Sequence, residues 1–174
     1  ANGLADAGAE LIITGTTPSK MENALSYYKG KGYKASGYLF DVTNEDAAKA
    51  NLDIIAKEIG DIHILVNNAG IIKRELAITM PVSDFRKVID VDLVGPFIMS
   101  QLVAKQMITR KEGKIINICS MMSELGRNSV SAYAAAKGGL KMLTQHLATE
   151  WAKFNIQVNG IGPGYFATTQ TAPI

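Results

Sequence analysis

The sequence predicts an α/β protein built on a doubly wound parallel sheet, and three observations predict it. Short runs of Leu, Ile and Val recur at Leu11-Ile-Ile, Ile62-His-Ile-Leu-Val and Lys114-Ile-Ile-Asn-Ile, each followed by a longer segment of helical periodicity, which is a βαβ alternation. The runs are apolar on both faces, and the segments between them are long enough for crossovers. The strands should therefore be parallel, covered on both sides and joined right-handedly. Hydrophobic residues make up 47% and charged residues 20% of the 174 residues, with 16 Gly and 5 Pro, a globular balance with room for one substantial core.

Ala1-Asn-Gly-Leu-Ala-Asp-Ala-Gly-Ala reads as the last turns of a helix ending at Gly8, ahead of the Leu11 strand. Further strands are expected at Lys34 to Phe40 and Asn155 to Ile161, and helices near Pro18 to Lys31, Asn44 to Ile59, Val82 to Arg110 and Ser131 to Phe154. Thr43-Asn44-Glu45-Asp46 offers a polar N-cap followed by first-turn acids, and Ser83-Asp84 after Pro81 reads in the same way. No Pro/Gly/Ser linker and no internal repeat divides the chain, so residues 1–174 are read as a single domain.

Eighteen Lys plus Arg against 16 Asp plus Glu leave a net charge of +2, too small and scattered to predict a nucleic-acid or membrane surface. A small molecule is the expected partner. Cys119 is the single cysteine and cannot form an internal disulfide, and no His or Cys near it in sequence begins a metal-ligand pattern. The apolar runs are far shorter than the roughly 20 residues of a membrane helix, and no charged segment introduces an apolar leader. A reducing cytoplasm is the expected compartment.

Ligands of open α/β sheets bind beyond the carboxyl ends of the strands, so the residues closing each run carry the chemistry. Asn67-Asn68-Ala69-Gly70 closes the Ile62 run with small residues that admit a flat ligand, although an Asn/Gly turn explains the tetrapeptide equally well. Ser120 places a hydroxyl at the next strand end, where an N-cap or turn role is the bland alternative. Tyr133-Ala-Ala-Ala-Lys137 puts a phenol and an ammonium on one helix face. A neighbouring Lys charge should lower a Tyr pKa from about 10, as proton exchange with an alcohol or carbonyl requires. Two unrelated polar residues on an Ala-rich helix are the alternative.

Taken in order with the strand exit Asn159-Gly-Ile-Gly-Pro163-Gly164, these motifs resemble the short-chain dehydrogenase/reductase family over nearly all of the chain. The resemblance implies a Rossmann-like fold, nicotinamide chemistry and, commonly, a homo-tetramer. It implies that Asn68, Ala69 and Gly70 lie against the cofactor, that Ser120 holds the substrate oxygen and that Tyr133 transfers the proton. Lys137 would bind the nicotinamide ribose and lower the Tyr133 pKa. Asp41-Val42 matches the family's adenine-contacting pair, and Pro163-Gly164 with Phe166 and Thr168 matches the segment against the nicotinamide.

Two departures stand out. The family pattern places Asn where this chain has Asp92; an acid there would favour charged Lys137 and impair proton relay. The family's opening strand and its glycine-rich pyrophosphate turn have no counterpart, and the chain stops at Ile174, where the family's substrate-covering segment begins. The missing strand would lie between the Leu11 and Ile62 strands. The sequence thus reads as an internal fragment of a longer enzyme, its sheet incomplete at both ends.

At the end of the Leu11 strand stand Thr14-Gly15-Thr16-Thr17, with no acid to accept from a ribose 2′-hydroxyl and no Arg, which favours NADP(H) while leaving NAD(H) open. Asn117-Ile-Cys-Ser-Met-Met-Ser-Glu-Leu-Gly-Arg127 and the segment from Asn155 to Phe166 resemble the gluconate 5-dehydrogenase branch, which implies interconversion of D-gluconate and 5-keto-D-gluconate. Arg74 is placed to reach a sugar-acid carboxylate with its planar donor fork, a solvated loop charge being the alternative. Glu124 and Arg127, in the loop after Ser120, rank below Arg74 for this role, with a pairing between the two as the alternative. Met121 and Met122 read as apolar lining, Trp151 as core or interface, and His63 as part of a buried strand; neither His63 nor His146 is a preferred catalyst, and no metal site is expected. Competing readings are a reductase of 3-oxoacyl thioesters or of another sugar acid, and an inactive chain that only associates with related subunits.

Overall fold

A computed structural model describes residues 1–166, and the chain divides into two compact units, Ala1–Asn51 and Leu52–Ile174. In the first unit α1 (Asn2–Asp6) closes on Gly8, whose φ of +94° suits glycine, and leads into β1 (Leu11–Gly15). Pro18 opens α2 (Pro18–Gly30), where its fixed φ suits the first turn and its missing N–H is not needed. β2 (Ala35–Leu39) returns parallel to β1 in the register Leu11↔Ala35 to Gly15↔Leu39. A Cβ at Gly37 would lie 2.6 Å from Met21 Sδ, so glycine lets α2 settle onto β2. Asn44 then caps α3 (Glu45–Glu58), its Oδ1 accepting from Ala47 N at 2.9 Å, with Glu45 and Asp46 in the first turn.

The second unit holds β3 (Ile64–Asn67), α4 (Val82–Ile89), a π-helical turn at Asp90–Val94, α5 (Gly95–Arg110), β4 (Gly113–Ile118), α6 (Ser131–Trp151) and β5 (Ile156–Ile161). Its strands are parallel in the order β3-β4-β5. These are the parallel strands and crossover helices of the doubly wound α/β class, with a two-stranded sheet in the first unit and a three-stranded sheet in the second. Val88, Ala132 and Ala136 form a core between α4 and α6, with Leu93 and Tyr133 packed against it.

Asn67 and Asn117 sit side by side on the face of the β3-β4-β5 sheet that α5 and α6 cover, and both are buried. Asn67 Nδ2 donates to Asn117 Oδ1 (2.8 Å) and Ser100 Oγ (2.9 Å), and Asn117 Nδ2 donates to Thr144 Oγ1 (2.8 Å). The Thr144 hydroxyl passes the chain on to the Leu140 carbonyl at 2.7 Å. Two strands and two helices are thereby held together by directed bonds in a dry interior, where leaving any one unmade is costly.

Three local expectations are corrected. β3 starts at Ile64, so His63 precedes the strand and is exposed. The other face of this sheet is not buried: Ile64, Val66 and Ile161, which alternate with the inward residues, each expose more than a third of their surface. Ser83 does not cap α4; Pro81 occupies that position without a side-chain bond, while Asp84 stands in the first turn as expected, 3.6 Å from Lys73.

Candidate active site

In the second unit the ends of β3 and β4, the π-helical turn and the first turns of α6 converge. Tyr133 and Lys137, one helical turn apart, both point back from α6, with Lys137 Nζ 5.6 Å from the centre of the Tyr133 ring. The ammonium is buried, donates to the Ile118 carbonyl at the end of β4 (2.8 Å), and faces Asp92 Oδ2 at 3.3 Å. Asp92 is wholly buried; its Oδ1 accepts from Ile71 N at 2.7 Å, while Oδ2 has the ion pair and no directed hydrogen bond. A Cβ at Gly70 would lie 2.9 Å from Asp92 Oδ2. Glycine there makes room for the carboxylate as well as for any ligand above it.

Ser120 follows β4 and opens a single 3₁₀ turn, Met121–Ser123. Its Oγ accepts from Met122 N at 3.1 Å, which leaves the hydroxyl hydrogen to donate. Burial is the main cause pushing the Tyr133 phenol above its ordinary value; the Asp92 carboxylate adds to it, while the Ser120 hydroxyl and the Arg74 guanidinium oppose it. The direction is opposite to the one the Tyr133–Lys137 spacing predicts. The cation that should lower the phenol is paired with Asp92. Burial likewise pushes the Asp92 carboxyl up, against Lys137 and the Ile71 amide.

Arg74 is exposed, yet its charge reaches the phenol. Its neighbour fixes its place, because Glu75 N donates to the Ser129 carbonyl just ahead of α6 at 2.9 Å. Asn68, Ala69 and Gly70 are exposed at the end of β3, and Pro163, Gly164 and the exposed Phe166 follow β5. Thr168 lies outside the described residues. Arg127 and Glu124 do not pair: Arg127 Nη1 donates to the Tyr165 hydroxyl at 2.7 Å, and Glu124 bonds Lys141.

In the first unit Thr16 and Thr17 are exposed beyond β1, and the first turn of α2 contains no acid. Gly15 ends β1, its carbonyl accepting from Phe40 N at 2.9 Å. Asp41 Oδ1 accepts from Thr43 N (2.9 Å) and Thr43 Oγ1 (2.8 Å), which braces the turn carrying Val42. Met121 is partly exposed beside Ser120, whereas Trp151 is core. His146 faces solvent next to Glu150. Among the described residues no cluster of His, Cys, Asp and Glu could hold a metal ion, and no helix is long and apolar enough to cross a membrane.

Sequence reasoning missed two features of this site. The spacing Ser120-x-x-Ser123 signals a reciprocal cap, and it forms: Ser123 Oγ accepts from Ser120 N at 3.3 Å and donates to the Lys137 carbonyl at 2.9 Å. The contact of Gly70 with Asp92 had no local signal, since it joins a strand exit to a helix far along the chain.

Known proteins place this geometry. Residues 1–174 match the family model for short chain dehydrogenases. The chain is 62% identical to a 2-dehydro-3-deoxy-D-gluconate 5-dehydrogenase of Formosa agariphila, covering 100% of this chain and 66% of that protein. It is 45% identical to the 5-keto-D-gluconate 5-reductase of Escherichia coli K12, covering 98% of this chain and 67% of the relative. A gluconate 5-dehydrogenase from Burkholderia cenocepacia, solved with NADP and tartrate, superposes with a TM-score of 0.94 at 40% identity, over 99% of this chain and 68% of that one. The chain thus spans about two thirds of the length of the curated relatives it matches. A family match over its whole length makes the chain a member of the short chain dehydrogenase family.

Proposed function

We propose that the protein carrying this chain is an NADP(H)-preferring oxidoreductase acting at C5 of a six-carbon sugar acid, with 5-keto-D-gluconate and D-gluconate as the pair. The observation that carries the reading is the buried Lys137 ammonium, 5.6 Å from the centre of the Tyr133 ring and bonded to the Ile118 carbonyl two residues before Ser120. Relatives named for 5-keto-D-gluconate and for 2-dehydro-3-deoxy-D-gluconate support the substrate class, and the 62% identity of the latter makes its sugar acid the second substrate to test.

The residues fit a nicotinamide dinucleotide. Asn68, Ala69 and Gly70 offer exposed backbone at a strand end, and Lys137 has a third N–H beyond those facing Ile118 and Asp92 with which to reach a ribose hydroxyl. Pro163, Gly164, Phe166 and Thr168 would lie along the nicotinamide. In the first unit, Asp41 and Val42 would meet the adenine, and Gly15, Thr16 and Thr17 a 2′-phosphate. The nicotinamide, when bound, supplies the hydride at its C4 or accepts it there. In carbonyl reduction Tyr133 Oη gives its proton to the C5 oxygen while Ser120 Oγ donates a hydrogen bond to that same oxygen. Arg74 pairs with the C1 carboxylate and so presents C5 rather than another carbon. Asp92 holds Lys137 in place. The intact chain would act as a single dinucleotide-binding domain within a cytoplasmic homo-tetramer, with no nucleic-acid or membrane partner.

Calorimetric titration of the intact protein should give tighter binding of NADPH than of NADH, by about tenfold or more, and 5-keto-D-gluconate should be reduced in preference to an acetoacetyl thioester. Arg74→Ala should raise the KM for 5-keto-D-gluconate by about tenfold or more, as loss of a charge-assisted bond does. An unchanged KM would remove the carboxylate assignment. Preferred turnover of 2-dehydro-3-deoxy-D-gluconate would move the substrate to that acid, and absence of dinucleotide binding would leave only subunit association.

A further inference from the structure

The Ser120 loop is tied to α6 through one hydroxyl that no role has yet been given. Ser123 Oγ accepts from the backbone N–H of Ser120 at 3.3 Å and donates to the carbonyl of Lys137 at 2.9 Å, 14 residues further along. On its other side, the Ser120 hydroxyl accepts from Met122 N at 3.1 Å within the same turn. The Lys137 ammonium in turn donates to the Ile118 carbonyl, two residues before Ser120, at 2.8 Å. Lys137 is therefore linked to the end of β4 twice, once by its own side chain and once, through Ser123, by its backbone.

The two links restrain different motions. The ammonium link fixes where Nζ lies relative to β4 but leaves the 3₁₀ turn free to rotate about Cys119 and Ser120. The Ser123 link fixes that rotation, because it holds the peptide N–H of Ser120 and, one residue away, the direction of the Ser120 side chain. We propose that Ser123 is a positioning residue for proton transfer: its bridge from Ser120 N–H to the Lys137 carbonyl sets the Ser120 hydroxyl against the Tyr133 phenol. The inference rests on the oxidoreductase reading above. It goes beyond it in assigning the alignment of the serine and the tyrosine to a side chain that need touch neither substrate nor cofactor. Ser123 is part-buried, and its bonds are made to backbone atoms, so the geometry is set by the fold and not by a mobile partner.

Removing the hydroxyl should cost turnover rather than binding, since a misplacement of about an ångström at the reacting groups can cost up to about a hundredfold in rate. The test uses the intact enzyme and the carbonyl compound it reduces fastest, so that the identity of the sugar acid does not enter. Ser123→Ala is expected to lower kcat by about ten- to a hundredfold, with the Kd for NADPH and the KM for the substrate changed less than about threefold. Ser123→Thr, which keeps an oxygen able to accept and donate, should restore most of kcat. The amide of Ser120 should exchange faster with solvent in the Ala variant and not in the Thr variant. Overturning results are a Ser123→Ala kcat within twofold of the parent's, or a loss that Thr does not rescue and that tracks a fall in Tm. A parent that oxidises NADPH with no carbonyl compound would instead overturn the oxidoreductase reading itself, and this role with it.

Discussion

Asp92 shows how one residue can change the electrostatics of a whole site. Where the family pattern has Asn, this chain buries a carboxylate completely, holds one oxygen with the Ile71 amide at 2.7 Å and sets the other 3.3 Å from the Lys137 ammonium. Two opposite charges removed from water stabilise each other only where the geometry is good, and deleting one leaves the other uncompensated. For Tyr133 the pairing means that the Lys137 cation is matched by an anion, and Asp92 itself raises the phenol. The other charged and titratable groups acting on that phenol are Arg74 and Cys119. Asp92→Asn removes the anion and leaves the cation, so the phenol should ionise more readily. In the proposed alcohol oxidation, where the phenolate would be the base, the rising limb of kcat/KM should move to lower pH in the intact variant protein. A pH–rate profile checks it, and superimposable profiles for variant and parent would take Asp92 out of the proton chemistry. The sequence already pointed to an acid at Asp92 favouring the Lys137 charge; its complete burial and its contacts with Ile71 and Gly70 were not legible there. The pairing needed the fold to bring Lys137, Gly70 and Ile71 around it.

Among the elements, the buried amide chain from Asn67 through Asn117 to Thr144 governs how β3, β4, α5 and α6 meet. Asn67 and Asn117 are 50 residues apart in sequence yet exchange a 2.8 Å bond, and both side chains are closed to solvent. Asn117→Ala would leave Asn67 Nδ2 and the Thr144 hydroxyl each short of a partner, at a cost of about 2–3 kcal/mol. Asn159 is its control, because it is exposed on the opposite face of the neighbouring strand, and Asn159→Ala should change stability by no more than about 0.5 kcal/mol. Denaturant unfolding of the intact variants measures both, and equal midpoints would mean that the buried chain contributes nothing. The elements themselves were readable from sequence because their signals are local. Pro18 opening α2, Asn44 capping α3 and Gly8 closing α1 all act within a turn of where they stand. The expectation failed where the deciding partner is distant. Ser83 carries a capping side chain, yet it lies inside α4 rather than before it, and His63 fits an apolar run but stands exposed just ahead of β3. The candidate site divides in the same way: Tyr133 and Lys137 are visible from their spacing, but Ser123 and the Ile118 carbonyl join it only through the fold.

Across the whole molecule, pH should act asymmetrically, because two of its phenols titrate above their ordinary value in the folded chain for different reasons. Burial leads at Tyr133, whereas a bond to Asp6 leads at Tyr33. A group whose folded pKa is raised above its unfolded value stabilises the fold below the unfolded pKa. That contribution is lost as pH rises through the folded one. With a reference of about 10 for Tyr, it is intact at neutral pH and drains away on the alkaline side of that value. The Asp92 carboxyl, raised chiefly by burial, acts in the same direction from the lower ordinary value of a carboxyl. The net charge of +2 is too small for general self-repulsion to dominate in between. Tyr133→Phe removes the buried phenol while keeping its ring in the contact with Val88, Ala132 and Ala136. Thermal unfolding of the intact protein and of this variant should therefore run parallel through neutral pH and separate above about pH 10, with the parent's Tm falling faster. If the two curves stay parallel to the highest pH at which both still fold, Tyr133 ionises in the folded protein no less easily than in the unfolded one. Burial would then not be what sets its proton affinity.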